Sequence, residues 1–304
     1  MDETQTLFRG AFTALVTPFN TDASAVDYAS YERNIREQAA AGISGIVPCG
    51  TTGESPTLTE EEHHELVQKA VELARPLGLS VIAGAGSNST AHAIELHKFA
   101  RSAGADASLQ VNPYYNKPSQ EGLYRHFMSV ADSAELPICL YNIPGRTGVA
   151  LTPETVERLA KHPNIQAIKE ATGSLDSASE ILARTELALL SGDDSLTLPF
   201  ASVGGVGVVS VISNILPAKT AALCEAFNSG DFERAREIHF ELLPVARGLL
   251  SLDTNPVPVK AAMQLMGKDT GALRLPMCQT SAGNVAMIRK LLAAADLLPA
   301  TVTA

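Results

Sequence analysis

Eight short apolar runs, each followed by a stretch with helical periodicity, constrain the fold of this chain more than any other feature. Most runs are continuously apolar rather than alternating, which is typical of parallel strands covered on both faces. They span residues 12–16, 45–50, 80–86, 107–112, 137–142, 165–170, 187–192 and 205–211. Eight strand–helix units in about 220 residues predict a (β/α)8 barrel, the TIM-barrel fold.

An open, doubly wound sheet is the alternative arrangement for such units, but its phosphate-binding signature is absent from the sequence. In the stretch GAGSNS, Ser89 stands where the pattern G-x-G-x-x-G requires its last glycine. No G-x-x-x-x-G-K-[ST] pattern occurs either. The sequence therefore gives no support for a nucleotide cofactor, and we expect no cofactor.

Capping residues mark the starts of several predicted helices. Thr59 and Glu62 have the spacing of a capping box, and Thr152 with Pro153 marks another helix start. The other predicted caps are Asp27, Ser89 and Ser119. These residues fix where the helices between the strands begin.

The chain continues beyond the eighth strand for longer than one closing helix requires. Helical patterns recur near residues 217–227, 231–252, 256–266 and 281–297. We interpret residues 1–227 as a catalytic barrel and residues 228–304 as a C-terminal helical appendage. Because no low-complexity linker separates the two, we expect the appendage to pack on the barrel.

The charge of the chain limits its partners. Its formal net charge is −10 and its sequence pI is about 5.2, so nucleic acids and anionic membranes would repel it. The N-terminal stretch MDETQTLFRG lacks the features of a secretory signal, and the most apolar run is too interrupted to span a bilayer. We therefore expect a cytoplasmic protein that binds neither nucleic acid nor membrane.

No set of side chains has the spacing of a metal site, and we expect no metal. The cysteines at positions 49, 139, 224 and 278 show no C-x-x-C pairing and are interpreted as free, buried thiols. The stretch EEEHHE at residues 60–65 favours a solvated helix start. Asp193 and Asp194 are interpreted as a helix N-cap rather than as metal ligands. Chelators are accordingly expected to leave activity unchanged.

Polar residues end several strands together, at the barrel face where active sites of this fold lie. Lys169 ends the sixth run, and an unprotonated lysine amine there could form a Schiff base with a carbonyl substrate. Burial favours this chemistry because it lowers the pKa of a lysine side chain from about 10.4. The alternative is a lysine that reaches solvent at the barrel rim or pairs with Glu170.

Neighbouring strand ends supply possible partners for this lysine. Tyr141 could shuttle protons, with Thr51 and Tyr115 as candidates for an onward relay, although each tyrosine could also be an ordinary core residue. The loop GTTGESPT after the second run could bind a small anion through backbone N–H groups and two hydroxyls, or be a plain turn. Arg146, in IPGRTG, could clamp a second carboxylate or be a surface charge.

With these residues in place, the sequence resembles the dihydrodipicolinate synthase family, whose members are class I pyruvate-dependent aldolases. The resemblance runs nearly end to end. It rests on the motifs GAFTALVTPF, GTTGESPTLT, NPYYNKPSQEGLYRHF, LYNIPGRTGV, IKEATG, LLSGDD and GVVSVISN. It implies that pyruvate and L-aspartate 4-semialdehyde condense in the pathway to diaminopimelate and lysine.

The resemblance also implies a role for each site residue. Lys169 would form the Schiff base with pyruvate, and Tyr141 would donate and accept protons. Thr51 and Tyr115 would complete the relay, with Tyr115 contributed by the neighbouring subunit of a tight dimer in a homotetramer. Arg146 would bind the carboxylate of the semialdehyde. The residues expected to line the pyruvate site are Thr52, Val209 and Gly192.

Two other readings of the sequence stay open. Another pyruvate-dependent aldolase, such as an N-acetylneuraminate lyase or a 2-keto-3-deoxy sugar-acid aldolase, would share the lysine, the tyrosine and the Gly-rich turn. Arg146 distinguishes a dihydrodipicolinate synthase from those other aldolases, because they are not expected to carry IPGRTG. The second alternative is a non-catalytic barrel that binds small molecules. This hypothesis is weakened because every catalytic position holds a residue that could perform the chemistry.

The resemblance further implies a cleft in which L-lysine inhibits many bacterial members of the family. Its positions here are Ser55, Pro56, Glu60, His63, Asn88, His92 and Tyr114. His92 stands where sensitive relatives carry a glutamate that meets the effector's ammonium. Loss of such a charge-assisted contact weakens binding roughly 10- to 100-fold. We therefore expect lysine inhibition to be weak or absent.

Overall fold

Eight parallel strands close into a single barrel in the computed structural model, which describes residues 7–298. Each strand pairs with the next along the chain, and the eighth pairs with the first. The strands are β1 (Gly10–Ala14), β2 (Gly45–Val47), β3 (Ser80–Gly84), β4 (Ala107–Val111), β5 (Ile138–Asn142), β6 (Ile165–Glu170), β7 (Ala188–Ser191) and β8 (Gly207–Ser210). All eight predicted strands and the predicted (β/α)8 barrel are confirmed. Residues 1–6, which begin the stretch examined for a secretory signal, lie outside the described residues.

Helices follow the strands in the predicted alternation. They are α1 (Tyr28–Ala40), α2 (Glu60–Ala74), α3 (Thr90–Ala103), α4 (Gln120–Ala131), α5 (Pro144–Thr147), α6 (Pro153–Leu159), α7 (Leu175–Arg184), α8 (Thr197–Ala201) and α9 (Pro217–Asn228). Every predicted cap is confirmed, because each side chain accepts a hydrogen bond from the backbone N–H three residues later. Thr59 and Glu62 form the reciprocal capping box.

The alternation of side chains along β6 places a lysine inside the barrel. Ala167 packs in the barrel interior with Leu190 and Val209, whereas Ile168 packs outward against the surrounding helices. Side chains two residues apart on a strand share a face. Lys169 therefore points to the same interior as Ala167, at the carboxyl end of the strand.

Three further helices, α10 (Phe232–Leu250), α11 (Val257–Leu265) and α12 (Ala282–Ala294), form the C-terminal region. Leu242, Val259 and Ile288 belong to the same buried hydrophobic cluster as Ile46 of β2 and Leu66 of α2. The C-terminal helices thus share a core with the barrel. The boundary between residues 227 and 228 stays a prediction, and residues 299–304 of the predicted appendage lie outside the described part.

A buried ion pair ties the C-terminal region to the loop after β2. The Nζ atom of Lys260, on α11, lies 2.7 Å from Oε1 of Glu54, and both side chains are almost fully buried. Lys260 also donates to the carbonyl oxygen of Thr17, and the second carboxylate oxygen of Glu54 accepts from the Arg274 backbone N–H. Nothing in the sequence pattern predicted this pair.

The cysteines and the apolar segments give two simpler results. Cys49, Cys139 and Cys224 are buried and free as predicted, whereas Cys278 is exposed, so the expectation of burial is wrong there. Cys278 lies in a connection between helices, which has no core to cover it. Within residues 7–298, no helix is both long enough and apolar enough to cross a membrane.

Candidate active site

A cavity of about 700 Å³ opens at the carboxyl ends of the barrel strands. Six of the site residues expected from the sequence line it, namely Thr51, Thr52, Tyr141, Arg146, Lys169 and Gly192. Residues from β2, β5 and β6 or the loops after them supply most of these groups. The strand assignment therefore brings them to one mouth, as the parallel barrel requires.

Lys169 and Tyr141 form the centre of this cavity. They are register partners on the neighbouring strands β6 and β5, so both side chains point into the barrel. The Nζ atom of Lys169 lies 4.0 Å from the centroid of the Tyr141 ring. The exposed fractions are only 6% for the lysine and 5% for the tyrosine. The Lys169 amine and the Tyr141 ring therefore meet in a part of the cavity that is largely shielded from solvent.

The carboxylate next to Lys169 in the sequence does not pair with it. Glu170 points to the opposite face of β6, where it accepts hydrogen bonds from Asn142 Nδ2 and from the Thr172 backbone N–H. Burial raises the pKa of Glu170. The alternative reading, in which Lys169 lies at an exposed rim or pairs with Glu170, is therefore wrong.

Asp193 and Asp194 have different surroundings from those expected. Asp193 lines the cavity, where burial raises its pKa and the charge of Lys169 opposes that shift. Asp194 is buried and accepts hydrogen bonds from Ser210 Oγ and from the backbone N–H groups of Val211 and Ile212. Its carboxylate thus closes the turn after β8. Asp193 holds the N-cap position of the 3₁₀ helix Asp194–Leu196, as predicted, but its side chain makes no capping hydrogen bond.

The loop after β2 leaves two backbone donors available to a ligand. The N–H groups of Gly53, Glu54 and Ser55 donate to the carbonyls of Gly50 and Thr51. Within residues 7–298, the N–H groups of Thr51 and Thr52 have no such partner. Together with two hydroxyls at the cavity wall, they form the kind of concave donor site that binds a small anion.

Close packing explains one of the two glycines of this loop, Gly53, whereas a Cβ added to Gly50 would meet nothing within 4 Å. Cys49 and Glu54 are the positions with left-handed backbone, each at φ 54°. A Cβ added to Gly53 would lie 3.1 Å from the Leu15 carbonyl oxygen. A Cβ on Gly84, in β3, would overlap the Cys49 carbonyl oxygen at 2.2 Å. The loop therefore packs closely against the residue that follows β1 and against β3.

Arg146 lies at the cavity rim on the short helix α5. Its side chain is exposed, and Nη2 donates to the backbone oxygen of Asn255 at 3.0 Å. Asn255 also donates from Nδ2 to Thr52 Oγ1 at 2.9 Å. The connection between α10 and α11 therefore lines the cavity, through Ser251, Asp253, Thr254 and Asn255. No motif in the sequence pointed to this segment.

Two predicted site residues do not line the cavity of the single chain. Tyr115 is 90% exposed and has a left-handed backbone at φ 73°. Val209 is fully buried in the barrel interior with Ala167 and Leu190. No hydrogen bond within the described residues joins Tyr141, Thr51 and Tyr115 to one another.

A second cavity of about 220 Å³ adjoins the first and shares Thr51, Tyr141 and Arg146 with it. Three residues of the expected effector cleft line it, namely Ser55, Pro56 and Tyr114. Asn88 lies next to them, because its Nδ2 donates to the Tyr114 carbonyl oxygen. The two cavities therefore have Thr51 and Tyr141, two residues of the expected proton relay, in common.

The remaining residues of the expected cleft lie on α2 and α3. Glu60 and His92 are exposed, whereas His63 is buried and its Nε2 lies 2.8 Å from the Gly84 carbonyl oxygen. Burial lowers the pKa of His63. The expectation of a solvated helix start is thus wrong for His63, which α2 turns toward β3. His64 stacks instead on the Phe99 ring, at 3.6 Å between centroids.

Acidic, histidine and cysteine side chains do not converge on a metal-binding geometry. Across residues 7–298, no group of three such side chains is placed to hold a metal ion.

A closed parallel barrel with a polar cavity at the carboxyl ends of its strands is the arrangement of (β/α)8-barrel enzymes. Residues 7–295 match the model of the dihydrodipicolinate synthetase family. The chain belongs to this family.

Individual relatives agree over nearly their whole length. A 4-hydroxy-tetrahydrodipicolinate synthase from Nitratidesulfovibrio vulgaris is 49% identical over 294 residues, covering 96% of this chain and 99% of the relative. The solved structure of dihydrodipicolinate synthase from Aquifex aeolicus is 44% identical with a TM-score of 0.92, covering 95% and 99%. The chloride-inhibited enzyme from Acinetobacter baumannii, solved in complex with pyruvate, is 38% identical with a TM-score of 0.93, covering 96% and 100%.

Proposed function

We propose that this chain is a 4-hydroxy-tetrahydrodipicolinate synthase, which condenses pyruvate with L-aspartate 4-semialdehyde. The observation that carries the proposal is Lys169, buried in the barrel mouth against the Tyr141 ring. A 38% identical relative has been solved with pyruvate, which supports pyruvate as the first substrate. The pathway to diaminopimelate and lysine, and a cytoplasmic location, belong to the same proposal.

The proposed reaction begins on the lysine. The unprotonated Nζ of Lys169 attacks the carbonyl carbon of pyruvate, and loss of one water gives an imine. Loss of a methyl proton converts the protonated imine into an enamine, whose carbon attacks the aldehyde of the second substrate. The amino group of that substrate then displaces Nζ from the imine, which closes the ring and frees the lysine.

Tyr141 and Thr51 are proposed to move protons during these steps. Both line the cavity that contains Lys169, and the Tyr141 ring contacts the lysine directly. Tyr115 is proposed to complete the relay from the neighbouring subunit. Its 90% exposure supports this arrangement, because a large aromatic side chain so exposed is suited to an interface. A homotetramer built from two tight dimers is part of the proposal.

The loop after β2 is proposed to bind the pyruvate carboxylate. Thr52 contributes its hydroxyl and its backbone N–H, and the N–H has no hydrogen-bond partner among the described residues. Gly192 lines the same cavity. Val209 lies deeper, in the barrel interior, so its proposed contact with the substrate is through the backbone. The seven residues of the effector cleft also stay a proposal.

Replacement of Tyr141 by phenylalanine should lower kcat by ~10²-fold or more, because a positioned proton shuttle typically contributes that much. The ring stays, so its contact with Lys169 and the fold should be kept. Steady-state kinetics with both substrates, together with a circular dichroism spectrum, measure the effect. Activity within a factor of three of the wild type would remove Tyr141 from the proton transfer.

Replacement of Arg146 by alanine should raise the KM for L-aspartate 4-semialdehyde by roughly 10- to 100-fold, the usual loss for one charge-assisted hydrogen-bonding group. The KM for pyruvate should change much less, since the loop after β2 is untouched. A rise in the pyruvate KM alone would place the guanidinium on the other substrate.

Comparison of substrates tests the proposed function itself. The purified wild-type chain should turn over pyruvate with L-aspartate 4-semialdehyde much faster than it cleaves N-acetylneuraminate or 2-keto-3-deoxygluconate. Preference for either sugar acid would instead assign the site to another pyruvate-dependent aldolase.

A further inference from the structure

Asn255 connects two groups of the cavity that come from distant parts of the chain. Its Nδ2 lies 2.9 Å from Thr52 Oγ1, on the loop after β2. Its backbone oxygen accepts a hydrogen bond from Arg146 Nη2 at 3.0 Å, on α5. One residue of the C-terminal region thus contacts both proposed substrate-binding side chains, through separate atoms.

The contact with Thr52 determines the direction in which its hydroxyl can donate. In this structure Asn255 presents Nδ2 to Thr52, so Thr52 Oγ1 is the acceptor in this hydrogen bond, whereas Asn255 Oδ1 has no partner among the described residues. A hydroxyl carries a single hydrogen, and no other hydrogen bond within residues 7–298 uses that of Thr52. Thr52 is 3% exposed and lines the cavity, so its hydrogen is left to donate toward a bound anion.

We propose that Asn255 is a positioning residue that fixes the Thr52 hydroxyl as a hydrogen-bond donor to the carboxylate of bound pyruvate. The proposal rests on the proposed function, since it assumes that the loop after β2 binds that carboxylate. It assigns the connection between α10 and α11 a role in substrate affinity. The backbone oxygen of Asn255 holds Arg146 independently of the side chain, so the two effects can be separated by substitution.

Asn255→Asp tests this inference with little change in shape. The carboxylate would accept the Thr52 hydrogen and so remove the donor, and it would place a negative charge beside the substrate carboxylate. The pyruvate KM should rise roughly 10- to 100-fold, the range expected for loss of a hydrogen bond to a charged group. The KM for L-aspartate 4-semialdehyde should change less than threefold, because the contact with Arg146 is a backbone contact.

Two comparisons separate this role from a general effect of charge or packing. Ser251→Asp adds the same charge to the same cavity wall, from an exposed residue whose hydroxyl donates to the Gly248 carbonyl oxygen. It should raise the pyruvate KM much less than Asn255→Asp. In a Thr52→Val background, the neutral substitution Asn255→Ala should have little further effect on the pyruvate KM, because the hydroxyl that the amide positions is gone.

The outcomes distinguish this inference from the proposed function. Absence of wild-type turnover with pyruvate and the semialdehyde would overturn the proposed function. Wild-type turnover with a pyruvate KM for Asn255→Asp within twofold of normal, or with additive effects of Asn255→Ala and Thr52→Val, would overturn the role of Asn255 alone. If Asn255→Asp does not fold, Asn255→Ala in the same cycle must give a raised pyruvate KM that disappears in Thr52→Val.

Discussion

Replacement of Lys169 by alanine is expected to lower kcat by ~10⁴-fold or more, in the range seen when a covalent nucleophile is removed from an enzyme. Lys169→Arg should be equally inactive, because a guanidinium keeps the positive charge but is not deprotonated at neutral pH. The arginine variant therefore separates nucleophilicity from charge. Steady-state rates at saturating concentrations of both substrates measure the effect.

Chemical trapping locates the reaction on the same side chain. Pyruvate with borohydride should inactivate the wild-type chain and leave a reduced adduct on Lys169, identified by peptide mass mapping. Lys161, an exposed lysine shortly after α6, serves as the matched control, because Lys161→Ala should keep both activity and labelling. An adduct on another lysine, or substantial activity in Lys169→Arg, would contradict the Schiff-base mechanism.

The barrel was predictable because its signals are local in the sequence. Continuous apolar runs set the strands, and side chains such as Thr59 and Thr152 set the helix starts through contacts only three residues away. Parallel pairing then brings Tyr141 and Lys169 together in register, so their proximity follows from the fold alone. The residues at the strand ends were therefore available to sequence reasoning.

The site residues that could not be predicted from the sequence are placed by contacts between distant parts of the chain. Asn255 contacts Thr52 across 203 positions, and Lys260 contacts Glu54 across 206. Neither contact has a periodic or capping signal, since the docking of the C-terminal helices determines both. Asp194 was misread for the same reason: its spacing suits a cap, but its partners are Ser210 and the turn after β8.

The buried pair of Lys260 and Glu54 leads to the second large expected effect. Lys260→Met should lower the free energy of unfolding by about 3–5 kcal/mol, because it leaves the Glu54 carboxylate buried without its counter-charge. The partly exposed pair of Lys268 and Glu37, whose side chains are 23% and 37% exposed, is the matched control, and Lys268→Met should cost ~1 kcal/mol or less. Urea unfolding at one protein concentration compares the two variants.

A double substitution shows whether the cost comes from the isolated charge or from lost packing. Lys260→Met combined with Glu54→Gln removes both charges, and it should recover much of the stability lost by Lys260→Met alone. Additive losses would show that contacts of Lys260 other than its pairing with Glu54, such as the Nζ atom 4.4 Å from the Phe19 ring centroid, are what α11 contributes. Glu54 lies two residues after Thr52, so relaxation of the unpaired carboxylate should also disturb the substrate loop. We therefore expect Lys260→Met to raise the pyruvate KM even at urea concentrations where the chain stays folded, whereas Lys268→Met should not.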